Sequence, residues 1–415
     1  LEETAAVEPQ KEIEAIENAE SAAADEAEIN QGADEVTEAL EEADALQEQV
    51  DVNDKILENT SDEVVEDAAA SNIDNDVSGE VVVPESAVTE SQVVEAQEAL
   101  KYAIASFGNK VGYVNAVRVS TENAKRLSRR EQLRIANEDA KDFIAKLIET
   151  AKRIIKQLAA KVVVWVKKMF LKLGNYQKAI KGFKDSLPKI KAEEIDAKSL
   201  SDGLRKIGTA EANYVLLGKG IQEQIDVATK GVGYLKATLS AIATSGNVVE
   251  ANKLPETKLE DYGFKALSEG KVVNVTGSQA LVVGEKGYKT VKLEVVDTLA
   301  NATADAKKVI DNLIFSNTLF DKFASNVSGN IKSLQNIQSE VSKKLDALKP
   351  KEGEDKNAVS KNVESAKSIG ITAVMFLINK QINVLKNYVA VAKAVSKGKK
   401  GGDNKAEDKK EEAKA

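Results

Sequence analysis

The 415-residue chain contains no cysteine and no histidine. The first absence removes disulfides and thiolate chemistry. The second removes the usual proton shuttle near neutral pH and the commonest metal ligand. Together they exclude most nucleophile–base pairs and most zinc sites. Proline is rare, with five residues, and aromatics make up only 4% of the chain. That composition suits long helices better than a sandwich or barrel. Long apolar runs are also lacking. The longest uncharged stretches, such as Ser368–Asn379 ("SIGITAVMFLIN"), fall short of the roughly 20 apolar residues needed to span a bilayer. The first residues are acidic with no apolar run behind them, which does not match a secretory signal.

What the chain has is charge, unevenly placed. Residues 1–100 hold 31 of the 67 acidic residues and only two basic ones, Lys11 and Lys55, so the rest of the chain is cationic. Such asymmetry points to an acidic tail beside a body that meets polyanions. Residues 1–90, closed by Pro84, have high charge density, small apolar residues and no aromatics. They read as a disordered acidic arm, with Val36–Val50 able to form a weak helix on a partner.

The expected fold is mainly α: an elongated helical bundle of long helices, a small inserted antiparallel β meander, and disordered acidic N-terminal and polar C-terminal tails. A basic helical module is expected over 91–187, a helical body over 188–398 and a tail over 399–415. Ser91–Phe107 presents Val93, Ala96, Leu100, Ile104 and Phe107 at helical spacing. A second helix is expected from Ser120, with "STEN" as its N-cap. It leads into "AKLIETAKRIIKQLAAKVVVWVKKMFLKL" (Ala145–Leu173), which has eight bases against one acid, Glu149, and ends at Gly174 as a C-cap.

Further helices are expected over Ser199–Leu239, Asn301–Leu348 and Ala358–Val395. Between the first two of these, "KVVNVTGSQALVVGEKGYKTVKLEVV" (Lys271–Val296) breaks into β-branched runs at Thr276–Ser278 and Gly284–Gly287, the signature of a meander. The Asn301–Leu348 pattern steps by four and three with Asn317 and Gln338 as polar interruptions, a heptad-like packing face.

No catalytic constellation is present. "GEKGYKT" (Gly284–Thr290) lacks phosphate-loop spacing and reads as a hairpin turn. Paired carboxylates such as Glu193/Glu194 read as solvated faces, and no metal-ligating or cofactor-binding set is expected. The basic helix admits three readings. Phe143, Leu147, Ile154, Leu158, Val162, Trp165 and Met169 form one apolar face, which serves either a protein core or a membrane interface. Arg126, Arg129, Arg130, Arg134, Lys152, Arg153, Lys156, Lys161, Lys167 and Lys168 are candidate contacts for a polyanion. From Lys101 to Asn175 there are 17 bases against 6 acids, which makes phosphate contact strong and salt-dependent.

The order of acidic arm, lysine-rich helix ("FIAKLIETAKRIIKQLAAKVVVWVKKMF", Phe143–Phe170), Cys- and His-free helical body and Lys/Gly/Glu tail resembles the internal head proteins of large myovirus-type tailed phages. That resemblance covers about residues 1–175 and supplies no motif from which site residues can be carried over. It implies a non-enzymatic virion structural protein packaged with the genome, with other virion proteins or further copies of itself as partners. DNA contact would be non-specific, and no small-molecule substrate is expected. In such proteins a prohead protease often cuts after a small-residue–X–Glu triplet, and a start at Leu1 rather than Met is consistent with trimming. The alternative is a membrane-active amphipathic protein making peripheral contact with a bilayer.

Overall fold

The computed structural model describes residues 9–59, 88–111, 127–245, 248–347 and 356–399. Among them the chain is mainly helical with one small antiparallel sheet, as expected. The helices are α1 (Pro9–Asn59), α2 (Glu90–Val111), α3 (Arg129–Ser186), α4 (Ala197–Ile207), α5 (Ala210–Leu216), α6 (Ile221–Ser245) and α7 (Val248–Ala251). Strands β1 (Lys271–Thr276), β2 (Gln279–Gly284) and β3 (Gly287–Lys292) follow. Then come α8 (Ala306–Ala347), α9 (Lys356–Lys367), a π-helical turn (Ser368–Ala373) and α10 (Val374–Lys397).

The chain forms two compact units. The first comprises Leu1–Asn30, Leu158–Lys344 and Ser365–Ala415; the second comprises Gln31–Gln157 and Leu345–Glu364. Neither coincides with the contiguous modules expected over 91–187 and 188–398.

The largest correction concerns the acidic arm. Residues 9–59 are one helix. Ile29, Ala33, Val36, Leu40, Ala43, Gln47 and Val50 recur at alternating four- and three-residue steps, and all seven are buried. This is a heptad seam made partly of alanines. Alanine has the highest helix propensity, so small apolar residues suffice for a packed helix even in a segment dominated by acids. The remainder of the predicted arm (1–8 and 60–87) and the predicted tail from residue 400 lie outside the described residues.

In the second unit, Val88, Val93, Ala96, Leu133 and Ala136 form a core, with Ile56 and Leu57 packed against it. Beside it, Asn53 Nδ2 donates to Asn137 Oδ1 at 3.3 Å, and Asn137 Nδ2 donates to Asp54 Oδ1 at 2.6 Å and to the Val50 carbonyl at 3.4 Å. A buried amide pair fixes register, because any slip leaves both amides without partners. The α3 start is set by Ser128, whose Oγ accepts from Glu131 N at 3.2 Å. The "STEN" cap falls at 120–123, outside the described residues. Gly174 is not a cap, since α3 continues to Ser186.

In the first unit, the predicted Ser199–Leu239 helix is three helices, broken at Gly208 (φ 65°) and Gly218 (φ 79°). The left-handed backbone at those glycines ends α4 and reverses the chain after α5. Asp196 caps α4 by accepting from Ser199 N at 2.8 Å, and Thr209 caps α5 by accepting from Ala212 N at 3.3 Å. The meander lies where the sequence places it, in the order β1-β2-β3, with an irregularity in β1 between Val272 and Asn274. β1 and β2 are buried along nearly their whole length, so these two strands are covered on both faces, whereas β3 is largely exposed beyond Tyr288. Tyr214, Leu259, Tyr262 and Phe264 pack with Val272, Val275, Ala280 and Val282. β1 also meets α10, and β3 meets the π-turn.

The α8 seam (Ile310, Leu313, Phe320, Val327, Ile331, Leu334, Val341) packs within the chain, and Gln338 Nε2 donates to the Ala159 carbonyl at 2.9 Å. Asn317's side chain is outside the described set. Val359–Lys397 is, by length and composition, long and apolar enough to cross a membrane, because α9, the π-turn and α10 are continuous. Its most apolar window is 83% buried inside the protein, as expected of a core helix.

The glycines give a clear contrast. A Cβ at Gly287 (φ +116°) would lie 2.3 Å from Ser368 Oγ in the π-turn, whereas one at Gly174 would meet nothing within 4 Å. Gly287→Ala is expected to destabilise by roughly 2–5 kcal/mol through backbone strain and overpacking. Gly174→Ala should stabilise by about 0.5–1 kcal/mol, as for any glycine in a helix interior. Urea unfolding of the two variants measures both.

Candidate functional site

The basic helix α3 is the site the sequence predicts, and its apolar face is core. Phe143, Leu147, Leu158, Val162, Trp165 and Met169 are all buried, with Trp165 fully enclosed. Ile154 is the exception: it is half-buried, and its neighbour Ile155 occupies the core position. A run of three- and four-residue steps drifts around a helix of 3.6 residues per turn, so the choice between adjacent isoleucines is made by the packing partner.

The ten candidate cations separate into groups. Arg126 lies outside the described residues. Lys152 is 5% exposed and held by Glu149 at 2.8 Å, so it is not available to a polyanion, which corrects that assignment. Arg130 is half-buried and donates to the Leu57 carbonyl at 3.1 Å. Arg129 pairs with Glu90 (3.4 Å), and Arg134 pairs with Glu131 and Glu138 (3.1 and 3.7 Å). Arg153, Lys156 and Lys167 are exposed, with Arg153 reaching the Lys110 carbonyl at 3.5 Å.

The remaining two, both in the first unit, face α1. Lys161 pairs with Glu28 at 2.7 Å and Lys168 with Asp25 at 2.5 Å. In the second unit Lys141 pairs with Asp54 at 2.8 Å. The acidic segment therefore serves as counter-charge to the basic helix within the same chain.

Two further polar features of the first unit have no motif in the sequence. One is a buried ion pair. Lys380 on α10 and Glu211 on α5 are 0% and 1% exposed, with Nζ to Oε1 at 3.1 Å. Glu211 also accepts from Thr276 Oγ1 (3.0 Å), Gly277 N (3.2 Å) and Asn387 Nδ2 (3.1 Å). Lys380 donates in addition to the Val275 carbonyl at 2.7 Å and lies 5.8 Å from the centre of the Tyr262 ring. With four donors on its two oxygens, Glu211 is fully satisfied, and the network fastens the β1–β2 turn to α5 and α10. Burial, with Glu211, Asp261 and Glu223 nearby, pushes the Tyr262 phenol up to about 12. Burial pushes Tyr288 to about 12 as well.

The other is a polar cleft of about 270 Å³ beside that turn. It is lined by Glu26 of α1, Lys172 and Tyr176 of α3, Gly277 and Ser278 of the turn, and Asn379, Asn383 and Lys386 of α10. Asn379 Nδ2 donates to Glu26 Oε1 at 2.9 Å, and Asn383 Nδ2 donates to Thr276 Oγ1 at 3.0 Å. Burial raises the Glu26 carboxyl above its ordinary value, against the opposing pull of Asn379 and Lys172. Burial lowers Lys172, with Lys386 adding to the effect and Glu26 opposing it. The sequence does carry one signal for the ion pair. Lys380 is the lone cation in "ITAVMFLINKQINVL", and Glu211 the lone acid in "TAEANYVLL". An isolated charge in an apolar run is either exposed or paired, and only the fold decides which.

Among the described residues, no group of three or more acidic side chains is placed to hold a metal ion. Comparison with protein-family models, with curated proteins and with solved structures returns no match for this chain.

Removing one partner of the buried pair strands the other. Lys380→Met alone is expected to cost roughly 3–5 kcal/mol, with Glu211→Gln/Lys380→Met recovering much of the loss. Denaturant titration of a double-mutant cycle reads this. Alkali gives a second test. The folded-state pKa of Tyr262 and Tyr288 is raised, so their contribution to stability is complete below pH 10. It is lost as pH rises toward about 12. Following tyrosinate absorbance together with helicity should show these two phenols ionising only with unfolding.

Proposed function

We propose that this chain is a non-enzymatic structural protein of the phage internal-head type, held with packaged DNA and touching both DNA and neighbouring copies through the outer side of α3. The observation that carries the reading is the division of that helix. Its apolar side is buried, while Arg153 and Lys156 in the second unit and Lys167 in the first remain exposed.

Arg129 and Arg134 add to the basic surface of the second unit, because their partners are surface carboxylates. Exposed ion pairs are worth about 0–1 kcal/mol, so a phosphate backbone competes with them on even terms. The mechanism is distributed electrostatics, with the acidic helix α1 keeping the cationic body soluble until a polyanion is present. Val164 and Leu171, 50% and 60% exposed on either side of Lys167, give a neighbouring copy an apolar foothold. The membrane-active alternative requires the Trp165 face to leave the core. The DNA reading needs no rearrangement.

The test is fluorescence anisotropy of a labelled DNA duplex across a salt series. Binding should weaken linearly in log–log form. Arg153→Ala/Lys156→Ala/Lys167→Ala should reduce the slope by about 2–3, one counterion per lost contact. Absence of low-salt binding, or a slope indifferent to the triple variant, overturns the DNA contact. Mass spectrometry of full and emptied phage particles tests the location: the protein should be present in full heads and absent from tail-only fractions.

A further inference from the structure

We propose that the cleft between α1, α3, α10 and the β1–β2 turn is a binding site for a tetrahedral oxyanion of the phosphate class, clasped between Lys172 and Lys386. This site is separate from the exposed α3 cations and does not depend on the DNA reading.

The first argument is an imbalance of charge. Lys172 and Lys386 line one cleft and repel each other, and neither has a carboxylate within ion-pair distance among the described residues. The one acid in the cleft, Glu26, is already engaged by Asn379, and burial raises its carboxyl above the ordinary value. Two ammonium groups facing at most one carboxylate leave a net positive cavity, and a lysine that is partly desolvated gains most from an anion brought into contact.

The second argument is the set of neutral donors. Tyr176 and Ser278, each carrying a hydroxyl donor, line the same cleft from different elements, α3 and the turn. Donors that converge from several directions match the oxygens of a tetrahedral anion better than the planar fork of a carboxylate.

The third argument is rigidity. Thr276 and Gly277 form the cleft's inner wall, and both are tied to Glu211, with Thr276 also held by Asn383. Gly277 takes a left-handed φ of 57°, a backbone conformation that L side chains rarely adopt, so the turn is held in one shape. The buried Lys380–Glu211 pair therefore holds one wall of the cleft before any ligand arrives, which cuts the ordering cost of binding. The size also fits: about 270 Å³ lies below the range of drug-sized pockets and accommodates phosphate with a small substituent.

The test is isothermal titration calorimetry of the full chain with inorganic phosphate and, separately, with methyl phosphate. The expected result is saturable one-to-one binding, weakened roughly ten-fold or more in Lys172→Met and in Lys386→Met, as for loss of a charge-assisted contact. Lys386 is exposed, so its variant folds even if the Lys172 variant does not. Glu26→Gln keeps the acceptor for Asn379 and removes the charge, so it should tighten phosphate. A residue with only a structural role would not do that. Lys156→Met should leave binding unchanged.

Competition with a short DNA duplex identifies the source. Displacement of phosphate by DNA makes the occupant a backbone phosphate, and indifference makes it a free phosphate or monoester. Absence of saturable phosphate binding overturns the proposal. So does Glu26→Gln weakening the binding, or Lys156→Met matching the loss in Lys386→Met. The triple α3 variant that tests DNA contact shares no residue with the cleft, so either proposal can fail alone.

Discussion

Lys380 stands in the middle of α10, within a helix long and apolar enough to cross a membrane, and it is fully buried. A charge so placed must be paired and hydrogen-bonded or the helix cannot bury there. Glu211 satisfies that demand and in doing so determines much of its surroundings. Its four donors come from β1, the β1–β2 turn and α10, so the small sheet, the short helix α5 and the core helix α10 are placed by one carboxylate. The meander buries β1 and β2, and this polar clasp, with the aromatic packing of Tyr214, Tyr262 and Phe264, fixes it to the helices.

The second organising constraint is charge complementarity within the chain. The acidic segment and the basic helix carry opposite charge, and the fold brings them together as α1 and α3 in each unit. Asp25 and Glu28 meet Lys168 and Lys161 in the first, and Asp54 meets Lys141 in the second. Individually such pairs contribute little. Collectively they reduce the self-repulsion of a long cationic helix and leave its outer side as the part where cations stay exposed.

Helix periodicity and turn chemistry carry most of the fold into view. The α8 seam, the α10 face and the α3 core stripe follow three- and four-residue spacing, and the meander follows Gly277–Ser278 and Gly284–Gly287. Boundaries are less legible. Gly174 sits inside a helix and Gly208 ends one, although the two residues are chemically identical; the difference is the left-handed φ at the second. The acidic arm reads as disordered because composition averages over all faces of a helix. Its small, spaced apolar residues line one seam of α1, and an average taken along the chain cannot register a seam.

The sequence by itself determined where the meander and the strongly periodic helices lie, because those follow from local periodicity, and it determined that the chain holds opposite charges in separate segments; the helix over 9–59 it did not disclose. Only tertiary structure decided which charges meet. Lys161 meets Glu28 across 133 positions and Lys141 meets Asp54 across 87, and nothing local to either lysine encodes its partner. The Lys380–Glu211 pair spans 169 positions, and the cleft gathers side chains from residue 26 to residue 386. Burial and pairing are properties of packing, set by which distant surfaces exclude water from one another, and spacing along the chain does not encode that.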